Sequence, residues 1–313
     1  MIYTTLFDKN FLAAGLCMIR SLTRHSAERP IVYVLAMDGL TETLLPKLAP
    51  PGVVQLVPHD LFEGVLQLDL RKKRTWQEYC WTCASLFTNF VANNTEDCRE
   101  GLNLTYLDAD MYFYSDPAVV HAEIGTKRIG IIPHRFNEEY EKKYGGNGKF
   151  NVSWVTFKAN LGRTVLRDWS SKCREWCFYR NEDGKFGDQA YLDRWPEEWP
   201  WDVHVIHNIG AGAAPWNLMN YIVVDGPNHQ VMLAENVPGE APLFYTPLVF
   251  YHFHQYKHGT PSTPTEPGTV STLSPEGPHR RTLHKLPPNA DLIYKPYEAE
   301  MESTYADLSL AGA

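Results

Sequence analysis

Apolar residues in the first sixty positions follow two different spacings. Continuous apolar runs at 2–7, 31–37 and 53–57 predict buried strands, whereas a helical stripe over 11–22 and a second helical stretch over 41–48 separate them. Strands that alternate with helices in this way are typical of a parallel sheet that carries helices on its faces. The opening part of the chain therefore predicts an α/β fold.

The same patterns continue along the rest of the chain. Further strands are predicted at 104–107, 129–133, 151–158, 204–207, 221–224 and 248–253. Further helices are predicted at 75–91, at 161–179, from 189 to a stop at Trp195-Pro196, and at 291–310. Pro, Thr, Ser and Gly dominate 259–288, which predicts a flexible or extended segment. We expect a mostly parallel central sheet flanked by helices.

The composition limits the classes of function. The chain has 313 residues, of which 44% are hydrophobic, and a formal net charge of −8. An acidic protein of this kind is a poor candidate for non-specific nucleic-acid binding. No apolar run approaches the roughly 18 residues of a membrane span, and the first residues lack the basic start and apolar core of a signal peptide. We expect a cytoplasmic protein with at most peripheral membrane association.

Six cysteines include two close pairs, Cys80 with Cys83 and Cys173 with Cys177. The spacing is similar to that of zinc ligands, but both pairs lie among aromatic and apolar residues in helix-like stretches. We interpret the pairs as buried free thiols in a reducing compartment.

The strand predicted at 104–107 leads into Asp108-Ala109-Asp110 and then into an aromatic run, 112–114. Alternate strand residues point to the same side, so both carboxylates are expected together at the carboxyl end of the strand, where open α/β sheets bind ligands. Such a pair suits Mg²⁺ or Mn²⁺, with a diphosphate filling the remaining positions. A solvated turn is the alternative, but such a turn is not usually followed by an aromatic run.

Other polar residues lie where predicted elements begin or end. Asp8 follows the first strand, where it suits a contact to a ribose or base and equally suits a helix cap. His252 and His254 end the last predicted strand, with Lys257 close behind; imidazole tolerates Mn²⁺ and lysine binds phosphate. No Gly-x-Gly-x-x-Gly or Walker loop is present, so the phosphates of a nucleotide would need a metal.

Several further stretches carry more polar chemistry than a core needs. They are the stretch from Arg74 to Thr82, Asn151 after the Gly-rich loop 145–148, Asp188 and Gln189 at a helix start, and the small-residue loop 210–217. Taken singly, each has a structural explanation: Asn151 suits a turn, Asp188 suits a helix cap, and His252 suits a hydrogen-bonded core histidine.

Taken in order over roughly residues 1–257, these stretches resemble the GT-A glycosyltransferases, specifically the family 8-like group. The sequence around Asp108 and Asp110 resembles the metal motif of that group, and residues 151–153 resemble its Asn-Ala-Gly or Asn-Ala-Ser at the donor sugar. Residues 252–257 resemble its His-x-x-Gly-x-x-Lys-Pro-Trp element, in which the histidine is the third metal ligand. Gln255 stands at the glycine, the spacing to Lys257 is one residue short, and Pro-Trp is missing, so His252 and His254 are both candidates.

The resemblance implies a glycosyltransferase that depends on Mn²⁺ or Mg²⁺. It would move a sugar from a nucleoside diphosphate sugar, expected to be a UDP-sugar, to a glycan, lipid-linked or small-molecule acceptor, with retention of configuration. The implied residues are Asp188 and Gln189 for catalysis; Thr5, Asp8, Arg74, Thr82, Asp108, Asn151 and Lys257 for the donor; and Asp108, Asp110, His252 and His254 for the metal.

The resemblance also implies a division of the chain. We expect a catalytic domain over 1–258, with a nucleotide-binding half at 1–117 and a sugar and acceptor half at 118–258, followed by the segment and helix of 259–313. Residues 78–82, the metal motif and residues 132–136 are also similar to a set of bacterial glycosyltransferases associated with surface polysaccharide.

Three other functions deserve comparison. A sugar nucleotidyltransferase would have a Gly-rich loop after the first strand, where this chain reads Phe7-Asp-Lys-Asn-Phe11. A non-catalytic sugar- or nucleotide-binding protein would have broken motif residues, whereas both aspartates and both histidines are intact. A haloacid-type phosphatase places Asp-x-Asp on its first strand with a following threonine, and Met111 stands there instead.

Overall fold

A seven-stranded sheet forms the centre of the computed structural model, which describes residues 1–66, 69–98, 103–158, 162–256, 258 and 286–312. The strands, in chain order, are β1 (Ile2–Phe7), β2 (Ile31–Ala36), β3 (Val54–Pro58), β4 (Asn103–Leu107), β5 (Met111–Phe113), β6 (Ile129–Pro133), β7 (Phe150–Lys158), β8 (Val203–Val205), β9 (Ala211–Ala213), β10 (Tyr221–Asp225), β11 (Val231–Glu235), β12 (Thr246–Pro247) and β13 (Phe250–His252).

The central sheet has the strand order β3-β2-β1-β4-β7-β6-β8. Strands β3, β2, β1 and β4 are parallel neighbours, β6 is parallel to β8, and β7 is antiparallel to both β4 and β6. Within this sheet β7 alone therefore runs against the others. The predicted mostly parallel sheet is confirmed.

Helices cover both faces of the sheet. They are α1 (Leu12–His25), α2 (Gly39–Leu48), α3 (His59–Leu66), α4 (Trp76–Asn94), α5 (Ala118–Ile124), α6 (Glu138–Tyr144), α7 (Arg163–Glu175), α8 (Trp195–Glu198) and α9 (Asp291–Leu310). The predicted strands at 2–7 and 129–133 and the predicted helix at 291–310 have the observed bounds. Among the described residues, no helix is both long enough and apolar enough to cross a membrane.

The alternation of side chains along β1 divides the core in two. Tyr3 and Phe7 belong to a buried cluster that includes residues of α1 and α9, whereas Ile2 and Leu6 belong to one that includes residues of α4 and α7. On the second face, α4 starts at a capping box, in which Glu78 N donates to the hydroxyl of Thr75 and Thr75 N donates to Glu78 Oε2. The six cysteines are free thiols, and five of them are buried.

A small sheet with the order β5-β13-β9 lies at the carboxyl end of β4. Its central strand pairs antiparallel with β5, with His252 opposite Met111, and parallel with β9. The pairing joins two stretches about 140 residues apart in the sequence. It thereby brings the end of β13 next to the residues that follow β4.

Two helix predictions are wrong in their bounds. The helix predicted at 161–179 ends at Glu175, because Trp176 has extended backbone angles and the chain then turns back through Asp183 and Gly184, both at positive φ. The predicted stop at Trp195-Pro196 is instead the start of α8, since proline suits the first turn of a helix. Before it, Ala190–Arg194 forms a 3₁₀ helix.

Other differences concern short elements. The strand predicted at 248–253 is shorter, because Leu248 N and Val249 N bond to Val231 O and Gly210 O before β13 begins. Residue 161 and most of the segment predicted as flexible, 259–285, lie outside the described residues.

Candidate active site

Asp108 and Asp110 lie together at the end of β4, as predicted, and β13 adds His252 to them. Nε2 of His252 is 3.0 Å from Oδ1 of Asp110 and 3.9 Å from Oδ2 of Asp108. A backbone bond of 2.7 Å from Phe253 N to Asp110 O fixes the two segments against each other. Two carboxylates and a buried imidazole thus converge at the carboxyl edge of the parallel strands.

His254 is the second histidine of this cluster. Ligand atoms of Asp110, His252 and His254 all lie within 4.8 Å of one another. His254 is exposed and His252 is buried. Trp216 packs its ring edge-on against both imidazoles, at 5.2 Å from His252 and 5.4 Å from His254. Carboxylate oxygens with imidazole nitrogen form a donor set that fits Mn²⁺, and the carboxylates fit Mg²⁺.

Electrostatics within the cluster depend on burial and on close charges. Burial raises the pKa of Asp108 to about 6, although His252 acts in the opposite direction. Burial also disfavours the charged form of Asp110, but His252 outweighs it and holds the pKa of that carboxyl below its usual value. The pKa of His252 is raised, because the two aspartates outweigh burial. The two carboxylates and the imidazole therefore interact directly, and His252 favours the charged form of Asp110.

Asp8 lies at the end of β1 and is held by neighbouring donors. Its Oδ2 accepts from Trp76 Nε1 at 2.9 Å and from Asn10 Nδ2 at 3.0 Å, and its Oδ1 accepts from Asn10 N at 2.9 Å. The first helix has no side-chain cap at its N-terminus, so the alternative prediction of a helix cap is wrong. Thr5, on the same strand, is fully buried, and its hydroxyl has no hydrogen-bond partner among the described residues.

Asp188 and Gln189 follow the hairpin that ends α7. Asp188 is 6% exposed, and its backbone O accepts from Trp169 Nε1 at 2.8 Å. Burial, with Cys177 and Asp108 nearby, raises the pKa of Asp188 well above its usual value. Gln189 Nε2 donates to Asn147 O at 2.7 Å, and the 3₁₀ helix that starts here has no side-chain cap. Capping by Asp188, the alternative prediction, is therefore wrong.

Arg74, which lies just before α4, forms a hydrogen bond with Thr82 on that helix. The guanidinium donates to the hydroxyl of Thr82 and, at 2.8 Å, to Arg174 O, and it lies over the ring of Phe178. Thr82 is fully buried. Arg74 thus links Thr82 to the end of α7 and to Phe178 in the hairpin that leads to Asp188. Lys257, the predicted diphosphate ligand, lies outside the described residues.

Asn151 is the last of the residues that were predicted to contact the nucleotide-sugar donor. It lies on β7 and is 9% exposed, with Oδ1 accepting from Ser153 N at 2.9 Å. Its Nδ2 is 3.1 Å from Nε2 of His134. The sequence analysis assigned no role to His134 or to Trp216, although both lie in stretches that it singled out.

Tyr106 is a further residue that the sequence analysis missed. Its hydroxyl donates to Oδ1 of Asp108 at 3.0 Å. The signal was present in the sequence, because residues two apart near a strand end lie on the same side.

Two curated relatives from Bacillus subtilis are similar in sequence to most of this chain. The chain is 30% identical over 258 residues to the uncharacterized protein YfnD of Bacillus subtilis (strain 168), covering 80% of this chain and 76% of YfnD. It is 29% identical over 262 residues to the uncharacterized protein YfnF of the same organism, covering 82% of this chain and 81% of YfnF. No family model matches the chain.

Among solved structures, the fold is similar to that of the galactosyltransferase LgtC, described in complex with donor and acceptor sugar analogs. The TM-score is 0.50 at 15% sequence identity, over 81% of this chain and 87% of LgtC. The match shows a GT-A-like glycosyltransferase fold.

Proposed function

This chain belongs to the family of the Bacillus subtilis protein YfnD, and from that premise we propose that it is a metal-dependent glycosyltransferase. It would transfer a sugar from a UDP-sugar to a glycan, lipid-linked or small-molecule acceptor, with retention of configuration. The fold supports this proposal, because LgtC, which shares it, is described with donor and acceptor sugar analogs bound.

One observation carries the proposal: His252 lies within 3.0 Å of Asp110 and 3.9 Å of Asp108 at the carboxyl edge of the parallel strands. A structural role does not require three ionisable groups at this position, since burying charged groups costs free energy. These residues, with His254, would hold Mn²⁺ or Mg²⁺. The bound metal would neutralise the charge that develops on the departing diphosphate.

Around this cluster, other side chains would orient the donor. Asp8, fixed by Trp76, suits a contact to the ribose or base, and Lys257 is proposed for the diphosphate. Arg74, Thr82 and Thr5 are buried or bound within the protein, so they would support the donor site from behind.

Asp188 and Gln189 are proposed to line the reacting face of the sugar. The amide nitrogen of Gln189 donates to Asn147 O, so its Oε1 would be the atom that meets the sugar. We infer retention from the resemblance to the family 8-like group.

A thermal-shift screen tests the proposal. Purified protein is heated with UDP, with UDP-glucose, UDP-galactose and other nucleotide sugars, each with and without Mn²⁺. Because a ligand that binds only the folded state raises the melting temperature, we expect a rise that requires both metal and a uridine nucleotide. The Asp110→Ala variant is the control and should lose the metal-dependent part. If no nucleotide or nucleotide sugar shifts the melting temperature with metal, the proposal is wrong.

A further inference from the structure

His134 is a buried histidine directly after β6, and its surroundings fix it on several sides. It is 4% exposed, and its ring stacks on Phe136 with centroids 4.4 Å apart and 12° between the planes. Its backbone O accepts from Trp216 Nε1 at 3.0 Å and from Asn217 Nδ2 at 2.8 Å. Neither the ring nor the backbone of His134 is free to move far.

The hydrogen bonds of Asn151 determine how this imidazole is protonated. Ser153 N can only donate, so the atom of Asn151 that faces it at 2.9 Å must be the carbonyl oxygen. The amide nitrogen of Asn151 therefore faces His134 Nε2 at 3.1 Å. Since an amide nitrogen can only donate, Nε2 must accept, and the imidazole proton must be on Nδ1.

A charged imidazole would disrupt this arrangement. It would place an N–H against the amide nitrogen, and Ser153 N prevents the amide from turning over. Burial keeps the ring neutral, since it lowers the pKa of His134 from its usual 6.5 to about 3. The contacts of Asn151 are therefore satisfied when neutral His134 accepts at Nε2 and Asn151 donates.

We propose that His134 is a positioning residue that fixes the Asn151 carboxamide so that its second N–H is directed to a hydroxyl oxygen of the donor sugar. One N–H of Asn151 is used by His134, and the carbonyl oxygen is used by Ser153. Among the described residues no further hydrogen bond of Asn151 is found, so its second N–H would remain for a ligand. This inference rests on the proposed function and on the predicted contact of Asn151 to the donor sugar.

The first test concerns the protonation of His134 and needs no substrate. Protein labelled with ¹⁵N in its histidine rings is examined by long-range ¹H–¹⁵N NMR, and the signals of His134 are assigned by their loss in His134→Gln. We expect a neutral ring with its proton on Nδ1. A ring with its proton on Nε2, or a charged ring at pH 7, would overturn the proposal.

The second test is a double-mutant cycle with UDP-glucose and UDP-galactose as donors. His134→Leu removes the acceptor and should lower kcat roughly 10-fold or more, because it leaves the Asn151 amide free to rotate. His134→Gln can restore an acceptor and should recover part of the loss. When Asn151 is already Ala, His134→Leu should have little further effect, since the residues act as one unit.

His121 is the matched control. It is also a buried histidine whose pKa is lowered to about 3, but its ring nitrogens bond to Tyr3 on β1 and Asn103 on β4. His121→Leu should lower the melting temperature without the kinetic pattern described above. If the effects of His134→Leu and Asn151→Ala on kcat are additive in an active wild-type background, the positioning role is wrong and the proposed function stands. If the wild type neither binds nor turns over any nucleotide sugar, both are wrong.

Discussion

The ring of Phe253 stacks on the ring of Tyr297, with centroids 3.8 Å apart and 17° between the planes. Phe253 lies between His252 and His254, whereas Tyr297 belongs to α9, near the end of the chain. The same helix packs Tyr294 against Tyr251 at 5.6 Å. The C-terminal helix therefore holds the segment that supplies the candidate metal-binding histidines.

Replacing Tyr297 by Ala should weaken metal binding as well as the fold. Removal of this buried ring should cost about 3–5 kcal/mol of folding free energy, and the freed segment should hold His252 less firmly. Tyr297→Phe keeps the ring and is the control. Denaturant unfolding and Mn²⁺ titration calorimetry measure the two effects. Unchanged Mn²⁺ affinity in a folded Tyr297→Ala protein would show that α9 does not support the site.

The two histidines should not contribute equally to metal binding. His252 is buried 3.0 Å from Asp110, whereas His254 is exposed at the edge of the cluster. We expect His252→Ala to abolish measurable Mn²⁺ binding and His254→Ala to weaken it by a smaller factor. Calorimetric titration of both variants makes the comparison, with far-UV circular dichroism as the check on folding. The reverse order of effects would assign the principal role to His254.

Gln255 adopts a backbone conformation that favours glycine. Its φ is 59°, in the left-handed region, where a side chain costs about 1–2 kcal/mol. The family 8-like glycosyltransferases that residues 252–257 resemble have glycine at this position. Gln255→Gly should therefore raise the free energy of unfolding by about 1 kcal/mol. Gln255→Ala keeps the strain and should bring no gain. If the two variants are equally stable, the backbone at this position is not strained.

Hydrophobic periodicity was sufficient to predict the bounds of β1, β6 and α9, because each is a continuous apolar or amphipathic stretch. It was not sufficient for the end of α7. There, local turn residues at Asp183 and Gly184 decide where the chain reverses, and the apolar pattern continues past Glu175. Short strands such as β5 and β9 were missed, since three residues carry too little periodicity.

The sequence predicted those residues of the candidate site that directly follow a strand. Asp108 and Asp110 could be found this way, but the choice between His252 and His254 depends on how β13 pairs with β5, a contact distant in sequence. The bond between His134 and Asn151 depends on a shift in the pairing of β6 with β7 after Ile131, which puts Ile132 opposite Asn151. Such registers are set by tertiary packing and leave no local pattern.

Stability should fall in mild acid because of buried neutral histidines. Burial lowers the pKa of His121 from its usual 6.5 to about 3. In the unfolded chain His121 binds a proton below about pH 6.5, whereas in the folded protein it does so only below about pH 3. The folded state therefore loses stability as the pH falls from 6.5 towards 3. At pH 5 the protonation of His121 in the unfolded chain lowers the free energy of unfolding by about 2 kcal/mol.

The measurement compares urea unfolding at pH 7 and pH 5. His121→Gln can keep bonds to Tyr3 and Asn103 without titrating, so it should lose about 2 kcal/mol less than the wild type between these pH values. Equal losses in both proteins would mean that His121 titrates normally in the folded state.

Asp188 and Gln189 should affect turnover far more than donor affinity. Neither residue caps a helix, and Asp188 is a buried carboxyl with a raised pKa that is close enough to Asp108 for their charges to interact. A contact to the transferring sugar strengthens in the transition state, so its loss lowers kcat and leaves UDP binding almost unchanged. For Asp188→Asn and Gln189→Ala we expect a fall in turnover of roughly 100-fold, equivalent to about 2.7 kcal/mol. Kinetics, UDP calorimetry and melting temperature are measured for each variant. Lower stability with normal turnover would limit both residues to a structural role.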